Sequence, residues 1–455
     1  MRRSLLYLPF LVLTIAVSVA TAQVVPEAKA HYDQGIALAL QGKLDEAIAE
    51  FREAVRINPR YAEAHYYLGL ALGYEEKLDE AVAEFREALR INPQNAEAHN
   101  SLGVALIEQG NADEAMREYR EALRINPGYA DAHYYLGNAL DDVGKPDEAV
   151  AEYRQALRIN PDHDGAHYNL GIALKQQGKL DEAIGEYRQA LRIRPSFAEA
   201  HYAMANALDN QGKAAEALAE YREALRINPN YDEAHYNLGV ALKKQGKLDE
   251  AIAEYREALR INPHNAQAHN NLGVALRDQG KLDEAVAEYR EASRINPDLA
   301  VFHSNLGVAL KQQGKLDEAI GQYREALSIN ANYPEAHNNL GIALSEQGKL
   351  NDAIKEYREE LRINPGFAAA HNNLGNSLSD QGKLDEAIVE YREALRIDPS
   401  QALVHFNLGE ALRVQGDRVE AAREFHDFLS LAPGSSASKD QIERARNFLA
   451  ELEKS

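Results

Sequence analysis

The stretch His235–Pro263 reads HYNLGVALKKQGKLDEAIAEYREALRINP, and its punctuation decides the fold. Leu238, Val240, Ala241 and Leu242 recur at helical rather than alternating spacing, which predicts one helix. Gly246 follows where a left-handed carboxy-terminal cap is wanted. Asp249 then stands where a second helix needs its N-cap, and Asn262-Pro263 stops that helix. Glu250 and Glu254 lie early in it while Arg256 and Arg260 lie late, which suits the helix dipole. The phrase therefore specifies a helical hairpin.

Outward from this stretch the chain repeats itself without insertion. The glycine of the phrase returns every 34 residues from Gly35 to Gly409, with Ala205 as the one exception. Counted from Ala28, twelve such units run to Ser435. A single hairpin cannot cover its own apolar face, so stability has to come from stacking on neighbours. The small residues at Gly239 and Ala251 are expected to let the two helices approach, and Tyr255 to fill the gap toward the next unit.

This pattern resembles the tetratricopeptide repeat family. The resemblance covers residues 28–435 and rests on Gly239 in the first helix and on Ala251, Tyr255, Ala258 and Pro263 in the second. Two departures stand out: His occupies the family's frequent Trp position, and Leu242 its Tyr position late in the first helix. The resemblance implies an all-α, right-handed superhelical solenoid with first helices lining the inside. The tail supplies a cover for the last repeat: Ser438-Lys439-Asp440-Gln441 is similar to a capping box, and Ile442, Ala445, Leu449 and Leu452 form one apolar stripe.

The expected organisation is then a signal peptide over 1–22, a short lead over 23–27, twelve repeats over 28–435 and a capping helix over 436–455. The amino terminus carries Arg2 and Arg3, an apolar stretch from Leu5 to Val19, and Ala20-Thr21-Ala22 before the expected cut. Those 15 residues, broken by Pro9 and Thr14, fall short of the roughly 20 needed to span a bilayer. The mature chain is expected to be exported to the periplasm or outside, without a stable membrane anchor.

Composition narrows the function. The chain has 455 residues, 50 Lys+Arg against 71 Asp+Glu, a formal charge of −21 and no Cys. The acidic balance argues against nucleic acid as a partner, since that binding rests on neutralising phosphates. Absence of Cys excludes disulfides, thiolate metal sites and Cys nucleophiles. There is no Gly-rich phosphate loop, HExxH or GxSxG, and neither a cofactor nor a metal is expected. Twelve of the 15 His occupy one repeat position, from His31 to His405. Packed helices stand about 8–10 Å apart while zinc needs nitrogens at about 2.0–2.1 Å, so these are expected to be core residues rather than a metal array. The recurrent Asp-Glu pairs are expected to cap helices, and twelve like carboxylate environments do not provide acid and base. The chain is therefore expected not to be an enzyme.

Binding residues are sought where the repeats differ. In the family, first-helix places two, five, six, nine, twelve and thirteen face the groove. The sixth place carries Asn169, then Asn237, Asn271, Asn305, Asn339, Asn373 and Asn407. Asn offers both donor and acceptor, so such a ladder can bond a peptide backbone whatever its side chains; it can equally bond neighbouring helices or water. The ladder is similar to that inside the repeat superhelix of O-linked N-acetylglucosamine transferase, without that enzyme's catalytic domain. Tyr32, Tyr66, Tyr134, Tyr168, Tyr202 and Tyr236 occupy the fifth place and Tyr67 and Tyr135 the sixth, as rigid contact rings. Lys175, Lys243, Lys244, Arg277 and Lys311 form a basic stretch at places twelve and thirteen, just after acidic Asp141 and Asp142. A clamp for a terminal carboxylate, which in the family pairs Lys at place five with Asn at place nine, is not expected: Asn138, Asn206 and Asn376 have no such Lys.

The reading is a non-enzymatic exported scaffold that holds extended protein or peptide segments. The alternatives are a self-associating repeat protein forming oligomers or filaments and, more remotely, a glycosyltransferase-associated subunit.

Overall fold

The computed structural model describes residues 25–435 and 437–452. The expected signal peptide lies outside them. Among the described residues the chain is entirely helical, with 25 α-helices, one short 3-10 turn and no strand. It divides after Pro229 into two compact units. Within each unit the helices pair in sequence and each pair packs on the next, the consecutive hairpin packing of an α-solenoid.

The hairpin quoted above comprises α13, Asp232–Lys244, and α14, Leu248–Ile261. Gly246 adopts φ 75°, the Lys247 N–H reaches back to the Leu242 carbonyl at 3.0 Å, and the Gly246 N–H reaches that of Lys243 at 2.9 Å. Those two bonds satisfy carbonyls that a helix end would leave bare. Glycine takes the same left-handed cap in eleven hairpins, and Glu76 takes it in the remaining one at φ 57°.

Two local expectations are corrected. Asp249 is not an N-cap: Lys247 holds that place, without a side-chain capping bond, and Asp249 lies inside the first turn. Its carboxylate instead accepts the Gln279 amide of the following repeat at 2.7 Å, a link repeated at Asp283–Gln313 and Asp317–Gln347. The acidic pairs thus tie repeats together. Gly239 does not serve backbone approach either. A Cβ there would stand 2.7 Å from Tyr255 Cε1, so the missing side chain makes room for the ring of its own hairpin. Tyr255 is fully buried, and Ala251 and Ala258 beside it are equally so.

At the carboxy end α24, Arg418–Leu431, is followed by α25, Lys439–Leu452. Ser438 and Gln441 exchange reciprocal bonds at 2.9 and 3.2 Å. Ala445 and Phe448 carry the burial, with Phe448 5.2 Å from Phe425. Arg444 adds an ion pair to Glu410 at 2.8 Å. No described helix is long and apolar enough to cross a membrane.

Candidate binding face

The Asn ladder bonds from repeat to repeat. Asn169 donates to the Tyr134 hydroxyl at 3.3 Å and to Asn138 Oδ1 at 2.8 Å. Asn271 donates to the Tyr236 hydroxyl at 3.0 Å, Asn305 to Asn270 Oδ1 at 2.8 Å and Asn373 to Asn338 Oδ1 at 3.0 Å. Asn407 donates to Asn372 and Asn376 at 3.1 and 3.0 Å. Place six thus reaches back 35 residues to place five of the preceding first helix. Asn339, whose counterpart at that spacing is Ser304, makes no such bond among the described residues. Asn237 and Asn339 are both half-buried. Asn271, Asn305 and Asn373 therefore each commit an amide N–H to helix packing, and Asn169 and Asn407 each donate to two acceptors. The rest of the amide is what a ligand could meet.

The fifth-place tyrosines are half-buried, with rings laid against the aromatic of their own second helix. Tyr66 stands 6.0 Å from Phe85, Tyr168 6.1 Å from Tyr187, Tyr202 6.1 Å from Tyr221 and Tyr236 6.1 Å from Tyr255. Tyr134 lies 4.5 Å from His163 as well as beside Tyr153. Burial pushes the Tyr168 phenol up to about 12, so it stays neutral. One side of each ring supports the hairpin, and only the remaining edge can serve contact.

The ninth-place asparagines have a structural partner that the sequence did not disclose. The buried Tyr153, Tyr221 and Tyr391 donate their hydroxyls to Asn138, Asn206 and Asn376 at 2.9, 2.6 and 2.8 Å. Where place nine is aliphatic, at Ile172, Val274 and Val308, the hydroxyls of Tyr187, Tyr289 and Tyr323 are buried without a partner. The signal was the 15-residue spacing.

The basic stretch is partly neutralised. Arg277 pairs with Asp278 at 3.1 Å and Lys311 with Glu346 at 3.5 Å. Lys175 and Lys243 are half-buried and have no ion-pair partner among the described residues. The acidic side is less matched: Glu108, Asp141 and Asp142 have no cationic partner among the described residues. Burial, then the neighbouring Asp142 charge, raises the Asp141 carboxyl.

The repeated histidines are not apolar core residues; each bridges the two helices of its hairpin. In His269, Nδ1 lies 2.6 Å from Glu288 and Nε2 3.1 Å from the Pro263 carbonyl. The same pair of bonds recurs at His65, His99, His133, His167, His201, His337, His371 and His405, with Gln322 replacing the carboxylate at His303. Both partners are acceptors, so only the doubly protonated ring satisfies both. Burial pulls these imidazoles down. The bond to the carboxylate, the carbonyl and the nearby charge more than offset it, and His99, His167, His201, His269, His371 and His405 are held above the ordinary value. In His337 the bond to Glu356 is itself the leading cause.

One group has metal-ligand types: His405, Glu424 and Asp427, whose donor atoms lie within 4.8 Å of one another. Both His405 nitrogens are already bonded there, to Glu424 at 2.6 Å and the Pro399 carbonyl at 3.1 Å. A cation would have to displace the link that the other repeats also use. A shallow cleft lies between α5, Ala96–Glu108, and α7, Ala130–Asp142, lined by Val104, Ile107, Tyr119, Tyr135 and Ala139 with Asn138 and Asp142 at its edge.

Comparison of the sequence with protein families returns a profile described as Tetratricopeptide repeat at residues 66–130, 134–198, 202–266 and 241–300. A second, described as TPR repeat, matches 35–73, 309–348, 343–382 and 375–416. The chain belongs to the tetratricopeptide repeat family. No curated protein matches it. Among solved structures, MamA is 24% identical with a TM-score of 0.34, covering 36% of this chain and 95% of its own. YrrB, described as a TPR protein with an unusual peptide-binding site, is 24% identical at TM-score 0.36, covering 40% and 95%. The Cut9–Hcn1 hetero-tetramer of the APC/C is 13% identical at TM-score 0.47, covering 93% and 97%. The tetratricopeptide fold is generally a non-catalytic, protein-binding scaffold.

Proposed function

We propose that this tetratricopeptide repeat protein is an exported, non-enzymatic scaffold that holds extended protein segments along its first helices. The observation that carries the reading is where variation falls. The Gly–Tyr contact, the buried alanines and the His–Glu bridge recur through the array, whereas places five, nine, twelve and thirteen change from repeat to repeat, and place six changes through the first six repeats before holding Asn in the last six. Residues that hold a hairpin together need not differ between repeats; those that meet a partner gain by differing. Stacked helices about 10 Å apart and extended chain advancing about 3.3–3.6 Å per residue give about three ligand residues per repeat. Export rests on the sequence of residues 1–22, with its cationic start, apolar middle and small-residue end.

The test is capture of partners by the mature chain, followed by binding measurements on identified peptides with Asn271, Asn305 and Asn339 replaced together by Ala. Reduced affinity at unchanged helicity is the expected result. Asn271 and Asn305 also bond the preceding helix, so melting is measured in parallel. Unchanged affinity removes the ladder from the binding face. Sedimentation across concentration addresses self-association: a species that grows with concentration while capturing nothing else replaces the scaffold reading with a structural one.

A further inference from the structure

The twelfth repeat departs from the others around its histidine. In each repeat an acidic or amide residue stands 19 residues after the histidine, a second stands 22 after it, and in ten repeats an Arg follows at 25. Where the second residue is Glu, that Arg holds it: Arg56 bonds Glu53 at 2.7 Å, Arg260 bonds Glu257 at 2.7 Å and Arg396 bonds Glu393 at 2.8 Å. The ninth repeat lacks the Arg, having Ser328, but it also lacks one carboxylate, having Gln322. The twelfth has Ser430 in place of the Arg and keeps both carboxylates, Glu424 and Asp427. Ser430 turns its hydroxyl to the Asp427 backbone carbonyl at 2.8 Å, and Asp427 pairs with no Lys or Arg among the described residues, Arg423 one turn earlier included. Two carboxylates therefore face one imidazole with the usual counter-charge removed.

The donor atoms converge. Those of His405, on α23 (Ala402–Gln415), and of Glu424 and Asp427, on α24, lie within 4.8 Å of one another. Nδ1 stands 2.6 Å from Glu424, and the Nε2 N–H donates to the Pro399 carbonyl at 3.1 Å. That second bond is the outer contact a metal-bound imidazole ordinarily makes, and it leaves Nδ1 to offer its lone pair once its proton departs. Glu424 is 12% exposed where its counterpart Glu390 is 24% exposed, so less water competes for it. Asp427 is exposed, so its carboxylate can turn. A tetrahedral ion with bonds of about 2.0–2.1 Å spaces its donors about 3.3 Å apart, so His405 and Glu424 part slightly and Asp427 closes by at most about 1.5 Å.

We propose that His405, Glu424 and Asp427 bind one divalent transition-metal ion of the zinc type, with the remaining position open to water. The ion takes the place of the ring proton between Nδ1 and Glu424, and that proton leaves to solvent. The link between the two helices is thus exchanged rather than lost. One imidazole beside two carboxylates suits Zn²⁺ and its first-row neighbours, whereas Mg²⁺ and Ca²⁺ take oxygen alone. The two carboxylate charges balance that of the ion. The distance that rules out a row of histidines sharing ions does not bear on this site, because its donors belong to one hairpin. Only here is the expectation of a metal-free chain set aside. The site is independent of what the first helices hold.

The test titrates zinc chloride into the untagged mature chain, freed of metal by chelation, and reads the heat of binding and the melting temperature. A single equivalent is expected to saturate and to raise the melting temperature, since the ion binds the folded hairpin and not the unfolded chain. His405→Gln and Asp427→Asn are each expected to weaken binding by at least about tenfold, the least that loss of even an outer contact costs such a site. Ser430→Arg combined with Asp427→Glu rebuilds the arrangement of the eleventh repeat. It keeps one imidazole and two carboxylates, and is expected to weaken binding by as much while leaving helicity unchanged. His371→Gln, in the eleventh repeat, is expected to leave binding as it is. Absence of a saturable equivalent, or Zn²⁺ held as tightly after His405→Gln or by the rebuilt variant, overturns the proposal. Loss of binding on His371→Gln also overturns it, because the ion then belongs to the common bridge, and so does displacement of Zn²⁺ by an equal concentration of Mg²⁺.

Discussion

The His–Glu bridges make stability depend on pH in a direction that the structure fixes. The perturbation is a change from about pH 6 to about pH 9, across the ordinary imidazole range. Seven imidazoles have folded values above their unfolded ones. A raised value means that the contribution is fully present below the unfolded pKa and is lost as pH rises through the folded one. Deprotonation leaves two acceptors sharing one N–H and removes the ion pair with the carboxylate, a loss of about 1 kcal/mol per bridge. The ring side chains are only 12–13% exposed in all seven of these bridges, so solvent screening is modest. Unfolding entropy near 2.1 cal/mol/K per residue gives about 70 cal/mol/K for one 34-residue repeat, and seven bridges in twelve repeats then lower the melting temperature by about 8 °C. His163 acts in the opposite sense, since burial lowers it and it favours the higher pH, but it is one group against seven.

The assay is circular-dichroism melting across that range for the native chain and for a variant with the seven partner carboxylates changed to Gln. NMR titration of His269, with and without Glu288→Gln, provides the direct readout. The native chain is expected to melt highest near pH 6 and the Gln variant to show a flatter profile. The net charge of −21 also produces pH-dependent self-repulsion, so the melting curves alone do not decide the matter. A His269 midpoint that does not fall when Glu288 becomes Gln refutes the reasoning.

Other consequences follow from single positions. Glu76→Gly relieves a left-handed cap that glycine holds elsewhere and should stabilise by about 1 kcal/mol in chemical denaturation, with no change in helicity. Tyr323→Phe removes a buried hydroxyl that has no partner and should be neutral or stabilising, whereas Tyr153→Phe breaks the bond to Asn138 and should cost about 1 kcal/mol; equal effects in melting experiments would contradict the place-nine argument. Gly273→Val sets a side chain where even a Cβ stands 2.8 Å from Tyr289 and should cost about 1–3 kcal/mol in the same measurement. Gly273→Ala should cost less, since Ala205 is accepted at the equivalent place.

What the sequence discloses depends on whether a residue acts within its own hairpin or through a neighbour. Gly246 and Pro263 act locally through backbone dihedrals, and the 34-residue period, the paired helices and the caps were legible from such residues alone. Asp249 misled because an acidic residue before a helix and one inside its first turn look alike in sequence. Its real partner, Gln279, lies 30 residues on, in a different repeat. The same holds for Asn138, whose role is set by Tyr153 on the other helix, and for the histidines, whose position suggested the core while the Glu 19 residues later decides their state. In a tandem array such long-range bonds are encoded by fixed separations: 15, 19, 30 and 35 residues. They become visible only when two places are considered together. The same property makes the exceptions informative. Asn100 is ordinary by itself, and only the 35-residue pairing with Tyr135 reveals an acceptor deprived of its donor. Where the repeated bond is absent, as between Asn100 and Tyr135 or between Ser304 and Asn339, the substituted end of the pair accounts for it.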